Sequence, residues 1–244
     1  MSGSTAEASS RVLVAGVYLA DRENRVAHIA AEMARSARWK VEQRWVALGE
    51  SPPPPGLEAL TVLRISTPTP KFALLNRILE AASLAPYDYL LVCDDDVTLP
   101  DGFLDRYLEF LGEHDLALAQ PARTHESFTD HPIVEQLDGL DARRTRFVEI
   151  GPVFSIRRDA MALVLPFDEA SPMGWGYDFV WPVVLEEVGK HIGIVDATPV
   201  AHDLRKPVAL YDHGSANAAM KAYLASRPHL SKGEAFTILE AYAR

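Results

Sequence analysis

Residues 88–100 read Asp-Tyr-Leu-Leu-Val-Cys-Asp-Asp-Asp-Val-Thr-Leu-Pro, an apolar run ending in three consecutive carboxylates, Asp94, Asp95 and Asp96. Leu90, Leu91, Val92 and Cys93 are continuously apolar rather than alternating, the pattern of a strand covered on both faces. Adjacent acids at the end of such a strand repel one another, so they are tolerated mainly where water or a bound cation offsets their charge. Alternation along an extended chain predicts that Asp94 and Asp96 share one face while Asp95 points the other way. Oxygens converging from one face suit a hard divalent cation such as Mg²⁺ or Mn²⁺, especially one that also holds a diphosphate. The rival reading of the same run is an acidic turn on a solvated surface.

Upstream, residues 11–18 form a second apolar strand, followed by a helix over 25–36 for which Asn24 is a plausible N-cap. A strand over 41–48, the loop Ser-Pro-Pro-Pro-Pro-Gly, a strand over 60–66 and a helix over 71–83 lead to the acidic strand. Strands alternating with helices predict a single α/β domain, a mixed, mostly parallel sheet flanked by helices. In open sheets of this kind ligands sit beyond the carboxyl ends of the strands, where the three acids fall. Downstream, Asp101 is positioned to cap a helix over 102–112, and 116–120 forms another short strand. Residues 121–146 are polar and read as a long loop. A broken strand over 147–156, a helix over 158–165 and a Gly-rich turn opening a further helix come next. The strand over 192–201 ends at His202-Asp203, and two terminal helices, 216–226 and 232–244, are expected to pack across the core.

The bulk properties narrow the partners. At 244 residues, with 48% hydrophobic and 24% charged side chains, the chain can bury one sizeable core. A net charge of −10 argues against a nucleic-acid binder, while a small phosphorylated ligand held by a metal and a few basic groups remains compatible. One cysteine, Cys93, permits no internal disulfide and fits a reducing, cytoplasmic compartment. Residues 1–10 have neither a basic start nor an apolar core and read as a loose tail, and no apolar run approaches the roughly 20 residues that span a bilayer.

Four features fall at element ends that this topology can bring together: the acid triplet, Gly174-Trp175-Gly176-Tyr177-Asp178, His202-Asp203, and Lys71 with Asn76. Asp178 opens a helix, where the dipole favours its ionised form, and it can serve an alcohol as general base; it also reads as an ordinary first-turn acid. Trp175 between Gly174 and Gly176 offers a flat platform for a sugar ring, or a packing tryptophan. His202 can complete a metal site or merely end a strand. Lys71 and Asn76 lie on one helix, turned toward the acids or toward solvent.

Together these residues resemble a known family. A strand running into Asp-Asp-Asp, preceded by Lys71-Phe-Ala-Leu-Leu-Asn76, is similar to the donor half of nucleotide-sugar glycosyltransferases of the GT-A fold, whose Asp-x-Asp motif holds a divalent metal on the donor diphosphate. Val148-Glu-Ile-Gly-Pro-Val-Phe-Ser155, Gly174-Trp-Gly-Tyr-Asp178 and Gly193-Ile-Val-Asp-Ala-Thr-Pro-Val-Ala-His202 resemble, in order and spacing, a motif series of uncharacterised proteins sharing that core. The resemblance implies a catalytic domain over 11–215, with a donor half (11–120), an acceptor half (121–215) and a carboxyl-terminal helical segment (216–244). It makes Asp96 a direct ligand of Mn²⁺ or Mg²⁺, with Asp94 assisting or touching the donor ribose and His202 closing the metal site. Asp95, Lys71 and Asn76 become donor contacts, Trp175 and Gly176 acceptor contacts, and Asp178 the base of an inverting transfer. Two departures stand out: the acids number three, and Gly-Trp-Gly-Tyr-Asp supplies one acid where many inverting members have a pair. The implied activity is transfer of a sugar from a nucleoside diphosphate to the hydroxyl of a small-molecule or glycan acceptor. A nucleotidyl or phosphoryl transferase is the alternative enzyme, although residues 19–24 offer phosphates only Arg22. A non-catalytic nucleotide-sugar-binding protein of the same fold is the other.

Overall fold

Arg11–Leu19 and Tyr89–Asp94 are almost wholly apolar, and they form the adjacent strands at the centre of the amino-terminal half of the sheet. In the computed structural model, which describes residues 10–205 and 213–244, the elements run β1 (Arg11–Leu19), α1 (Val26–Ala34), β2 (Lys40–Leu48), β3 (Thr61–Ile65), α2 (Lys71–Glu80), β4 (Tyr89–Asp94) and α3 (Phe103–Glu113). They continue with β5 (Leu116–Arg123), β6 (Leu140–Thr145), β7 (Val153–Arg157), α4 (Arg158–Val164), α5 (Tyr177–Glu187), β8 (His191–Val200), α6 (His213–Ala225), α7 (Lys232–Ala235) and β9 (Ile238–Ala243). The strands make one nine-stranded sheet in the order β3-β2-β1-β4-β7-β5-β8-β6-β9. Apart from Ser10, the expected tail lies outside the described residues.

The sheet is mixed. β3, β2, β1 and β4 pair in parallel, as does β5 with β8, but β7 enters antiparallel between β4 and β5, and β6 is antiparallel to both β8 and β9. The parallel arrangement expected for most of the sheet is therefore concentrated in its amino-terminal half. Alternation sorts side chains between two cores. Leu13, Ala15, Leu90 and Val92 pack with α2, α4 and α5, whereas Val12, Val14, Leu91 and Cys93 pack with α1 and α3.

Several local expectations are corrected. Residues 238–243 are not helical: Leu-Glu-Ala-Tyr-Ala has good helix propensity, but β6 offers an open edge and takes this segment as β9, with Tyr242 stacked on His114 at 4.0 Å between ring centroids. Residues 121–146 are not one loop, because β5 continues through Arg123 and β6 occupies Leu140–Thr145. Their polar look comes from charge hidden in the fold. Arg143 is 1% exposed and grips Asp196 with two nitrogens at 2.8 and 3.0 Å. Neither expected cap is made as anticipated. Arg25 holds the position before α1, but Asn24 one residue earlier still accepts the Val26 N–H on its Oδ1 at 3.3 Å while its amide donates to the Leu19 and Arg22 carbonyls. At α3 the free N–H groups of Gly102 and Phe103 go to Glu32 Oε1, while Asp101 pairs with Arg35.

Candidate functional site

The acids at the end of β4 are separated by the turn that begins after Asp94. Extended geometry stops there, so the alternation that was to align Asp94 with Asp96 does not continue past the strand. Asp94 keeps the side of Leu90 and Val92, toward α2, and its Oδ1 lies 2.7 Å from Lys71 Nζ. Lys71 also donates to the Ile150 carbonyl at 3.2 Å. Asp95 folds back under β1: its Oδ2 accepts the Leu19 N–H at 2.7 Å, its carbonyl accepts the Arg25 N–H at 2.6 Å, and its side chain contacts the Arg205 guanidinium. Burial raises the Asp95 carboxyl to about 6 despite that arginine.

Asp96 meets His202, whose Nε2 lies 3.3 Å from Asp96 Oδ1. Their sequence separation is closed by backbone. Thr98 and Ala201 exchange hydrogen bonds of 2.9 and 3.1 Å in an antiparallel bridge, which carries the residue after β8 to the acid turn. Burial alone would raise Asp96, but His202 and Arg205 outweigh it and hold the carboxyl below its ordinary range. Two carboxylates and an imidazole match the hard oxygen and nitrogen donors of Mn²⁺ or Mg²⁺. Among the described residues His202 Nδ1 is buried without a hydrogen-bond partner and Asp96 Oδ1 has none besides His202 Nε2, so this donor set has unused capacity. Among the described residues no three His, Cys, Asp or Glu side chains stand together as a ready metal cluster, and Asp94 is paired with Lys71.

A second acid centre adjoins the first. Arg123, 4% exposed at the end of β5, ion-pairs with Glu149 and donates to the Gly151 carbonyl at 2.9 Å and the Phe128 carbonyl at 2.7 Å. Phe128 N–H in turn donates to the His202 carbonyl at 2.9 Å. A Cβ at Gly151 would stand a tight 3.1 Å from Asp94 Oδ2 and an ordinary 3.6 Å from Lys71 Nζ. Glu149 is raised to about 7, mainly by burial, with Arg123 opposing. Asp178, 7% exposed in the first turn of α5, is raised to about 7 by burial and then by the charge of Glu149, with backbone N–H groups at the helix start opposing. Its Oδ1 has no partner. A buried carboxyl that titrates near neutrality and keeps an unengaged oxygen is equipped to take a proton.

The helix carrying Asp178 is launched by two left-handed glycines. Gly174 has φ +76° and a Cβ would lie 2.2 Å from the Phe72 ring; Gly176 has φ +99° and precedes α5. Trp175 between them is half-buried, and its carbonyl accepts the Ser171 hydroxyl at 2.7 Å.

No protein-family model matches the chain, and no curated protein matches it in sequence. Solved structures do share its architecture. One is GalNAc-T7 with UDP, GalNAc and Mn²⁺, with a TM-score of 0.56 and 11% identity over 88% of this chain and 47% of that one. Another is S. aureus TarS 1–349 in complex with UDP-GlcNAc, with a TM-score of 0.56 and 12% identity over 87% of this chain and 65% of that one. The likeness is one of fold. It supports the GT-A-type domain expected from the sequence, and the chain spans from about half to two thirds of the length of these structures. No helix among the described residues is long and apolar enough to cross a membrane.

Asp95, Asp96, Arg205 and His202 thus share one set of contacts, the adjacent Asp94 pairs separately with Lys71, and Arg123 ties Glu149, whose charge acts on Asp178, to the Gly151 and Phe128 carbonyls. Asn76 is not part of these contacts. Its amide pairs with the Phe167 backbone at 2.8 and 2.9 Å, facing a cleft of about 740 Å³ between α2 and α4. Arg123, Glu149 and Arg205 were missed. Each had a sequence signal: a charge closing the apolar run 116–122, an acid within Val148-Glu-Ile, and a guanidinium three residues after His202.

Proposed function

We propose that this chain transfers a sugar from a nucleoside-diphosphate sugar to an acceptor hydroxyl, with a divalent cation in attendance. One observation carries the reading: Asp96 with His202, and the buried acids Glu149 and Asp178, gather at the end of the sheet where open α/β sheets take ligands, with Arg123 tying Glu149 to the Phe128 backbone that bonds the His202 carbonyl and Glu149 acting on Asp178 through its charge. The fold held in common with proteins solved with UDP and Mn²⁺ or with UDP-GlcNAc supports it.

Asp96 and His202 would hold the cation, with Asp94 reaching it once released from Lys71. When bound, the ion neutralises negative charge on the departing diphosphate. Lys71, freed in the same exchange, supplies a positive charge to phosphate oxygens. Asp95 keeps the turn anchored to β1 through Leu19. Asp178 takes the proton of the acceptor hydroxyl, which requires its oxygen within about 3 Å of that hydroxyl. Attack from the side opposite the leaving group inverts the anomeric centre. Trp175, half-buried just before α5, would offer the acceptor a flat face, whereas Gly176 is buried against Tyr223 and Leu224 and leaves no open approach.

Calorimetry with nucleoside diphosphates, with and without Mn²⁺, tests the donor side. Asp96→Ala should weaken Mn²⁺ and nucleotide binding together; normal nucleotide affinity in the presence of chelator would overturn the metal-dependent reading. Donor hydrolysis assayed with Mn²⁺ separates an enzyme from a binding protein.

A further inference from the structure

Arg205 occupies an unusual position: one nitrogen serves both acids of the turn. Its Nη2 contacts Asp95 and lies 3.2 Å from Asp96 Oδ2, while Nη1 donates to the Glu23 carbonyl at 2.7 Å. Side-chain exposures of 15% for Arg205, 4% for Asp95 and 15% for Asp96 make this a largely desolvated contact. His202 contacts the other Asp96 oxygen. A carboxylate cannot give the same oxygen fully to a guanidinium and to a divalent ion, and two cations a few ångströms apart repel strongly in a dry site.

We propose that Arg205 is the site's own counter-cation and sets its affinity for metal: it holds Asp96 against its neighbouring acids until an incoming divalent ion displaces it. The acid turn can therefore stay folded and charged without metal, because the mutual repulsion of Asp95 and Asp96 is already offset. Metal binding becomes an exchange of one cation for another, and the observed affinity is the intrinsic affinity less the free energy of breaking the Arg205 contact to Asp96. The inference rests on Asp96 and His202 being the metal ligands.

Mn²⁺ alone, titrated calorimetrically into the full chain, tests it. Arg205→Gln, which keeps hydrogen-bonding capacity and removes the charge, is expected to bind Mn²⁺ about tenfold more tightly than the wild type, on the scale of a neighbouring charge at this distance. Arg205→Lys keeps the charge and should stay near the wild-type affinity. It also serves as the folding control, with thermal melts of all three proteins. Equal Mn²⁺ affinity for Arg205→Gln and wild type would overturn the exchange while leaving the metal site intact. If neither protein binds Mn²⁺, the metal assignment and the exchange fall together.

Discussion

Buried charge between β6 and β8 and buried charge at the strand ends follow opposite rules. Asp196 is 0% exposed, yet every demand is met: Arg143 forks onto both oxygens, Leu137 N–H adds a bond at 2.8 Å, and the remaining guanidinium donors go to the Ile133 and Glu135 carbonyls. Asp178 is nearly as deep, but among the described residues it has no cationic partner of its own and one unpaired oxygen, with Glu149 nearby. The first arrangement locks β6 and the chain over 133–137 to β8. The second stores an uncompensated group where a reaction can use it, a common trade of stability for activity.

Three experiments break or sharpen this contrast. The largest expected effect is that of Asp178→Asn, which should lower sugar transfer by about 10²–10⁴-fold while leaving metal and donor binding intact. Its stability should move the other way. The native carboxyl holds its proton to about pH 7, whereas the unfolded one releases it near pH 4, so native stability declines as pH rises through that interval. Removing the group should therefore raise the melting temperature at pH 7.5 by roughly 3 °C or more, a gain that vanishes below about pH 4. Undiminished transfer would take Asp178 out of the chemistry, and no stabilisation would mean that its burial is compensated after all.

Next in size is the opposite centre. Asp196→Ala strands a buried guanidinium and should cost about 3–5 kcal/mol in urea unfolding, whereas Arg143→Met combined with Asp196→Leu should recover most of the loss. A single variant no worse than the double would show that the pair is not a mutual requirement. The smallest effect is expected from Glu149→Gln. Loss of the charge beside Asp178 should shift the acid limb of the pH–rate profile downward, on the order of one unit, with little change in the plateau. A limb that stays in place would uncouple the two acids.

Much of the amino-terminal half was legible because its physics is local. Continuous apolar runs at 11–18 and 89–93 can only be strands covered on both sides, and the prolines at 52–55 can only interrupt them. The acid triplet, His202 and Asp178 announced themselves as charges at element ends. What escaped depended on partners distant in sequence. The polarity of 121–146 hid a strand because Asp196, some fifty residues on, neutralises Arg143. The terminal segment resembles a helix until β6 presents an unpaired ladder. Asn76 is spoken for by Phe167, and Arg205 acquires its meaning only when the Thr98 and Ala201 backbones meet.

That meeting has a further consequence. His202 stands opposite Asp96 because β8 is threaded in one particular alignment, fixed by pairing to β5 and β6 over residues 191–195, again to β5 at Val200, and by the Thr98–Ala201 bridge. Inserting or deleting a single residue within β8 would invert the facing of everything beyond the lesion and offer the acids a methyl or a carboxylate instead of an imidazole. The sheet thus acts as a vernier, and frame-preserving indels far from any reactive atom should silence the molecule as completely as losing the histidine.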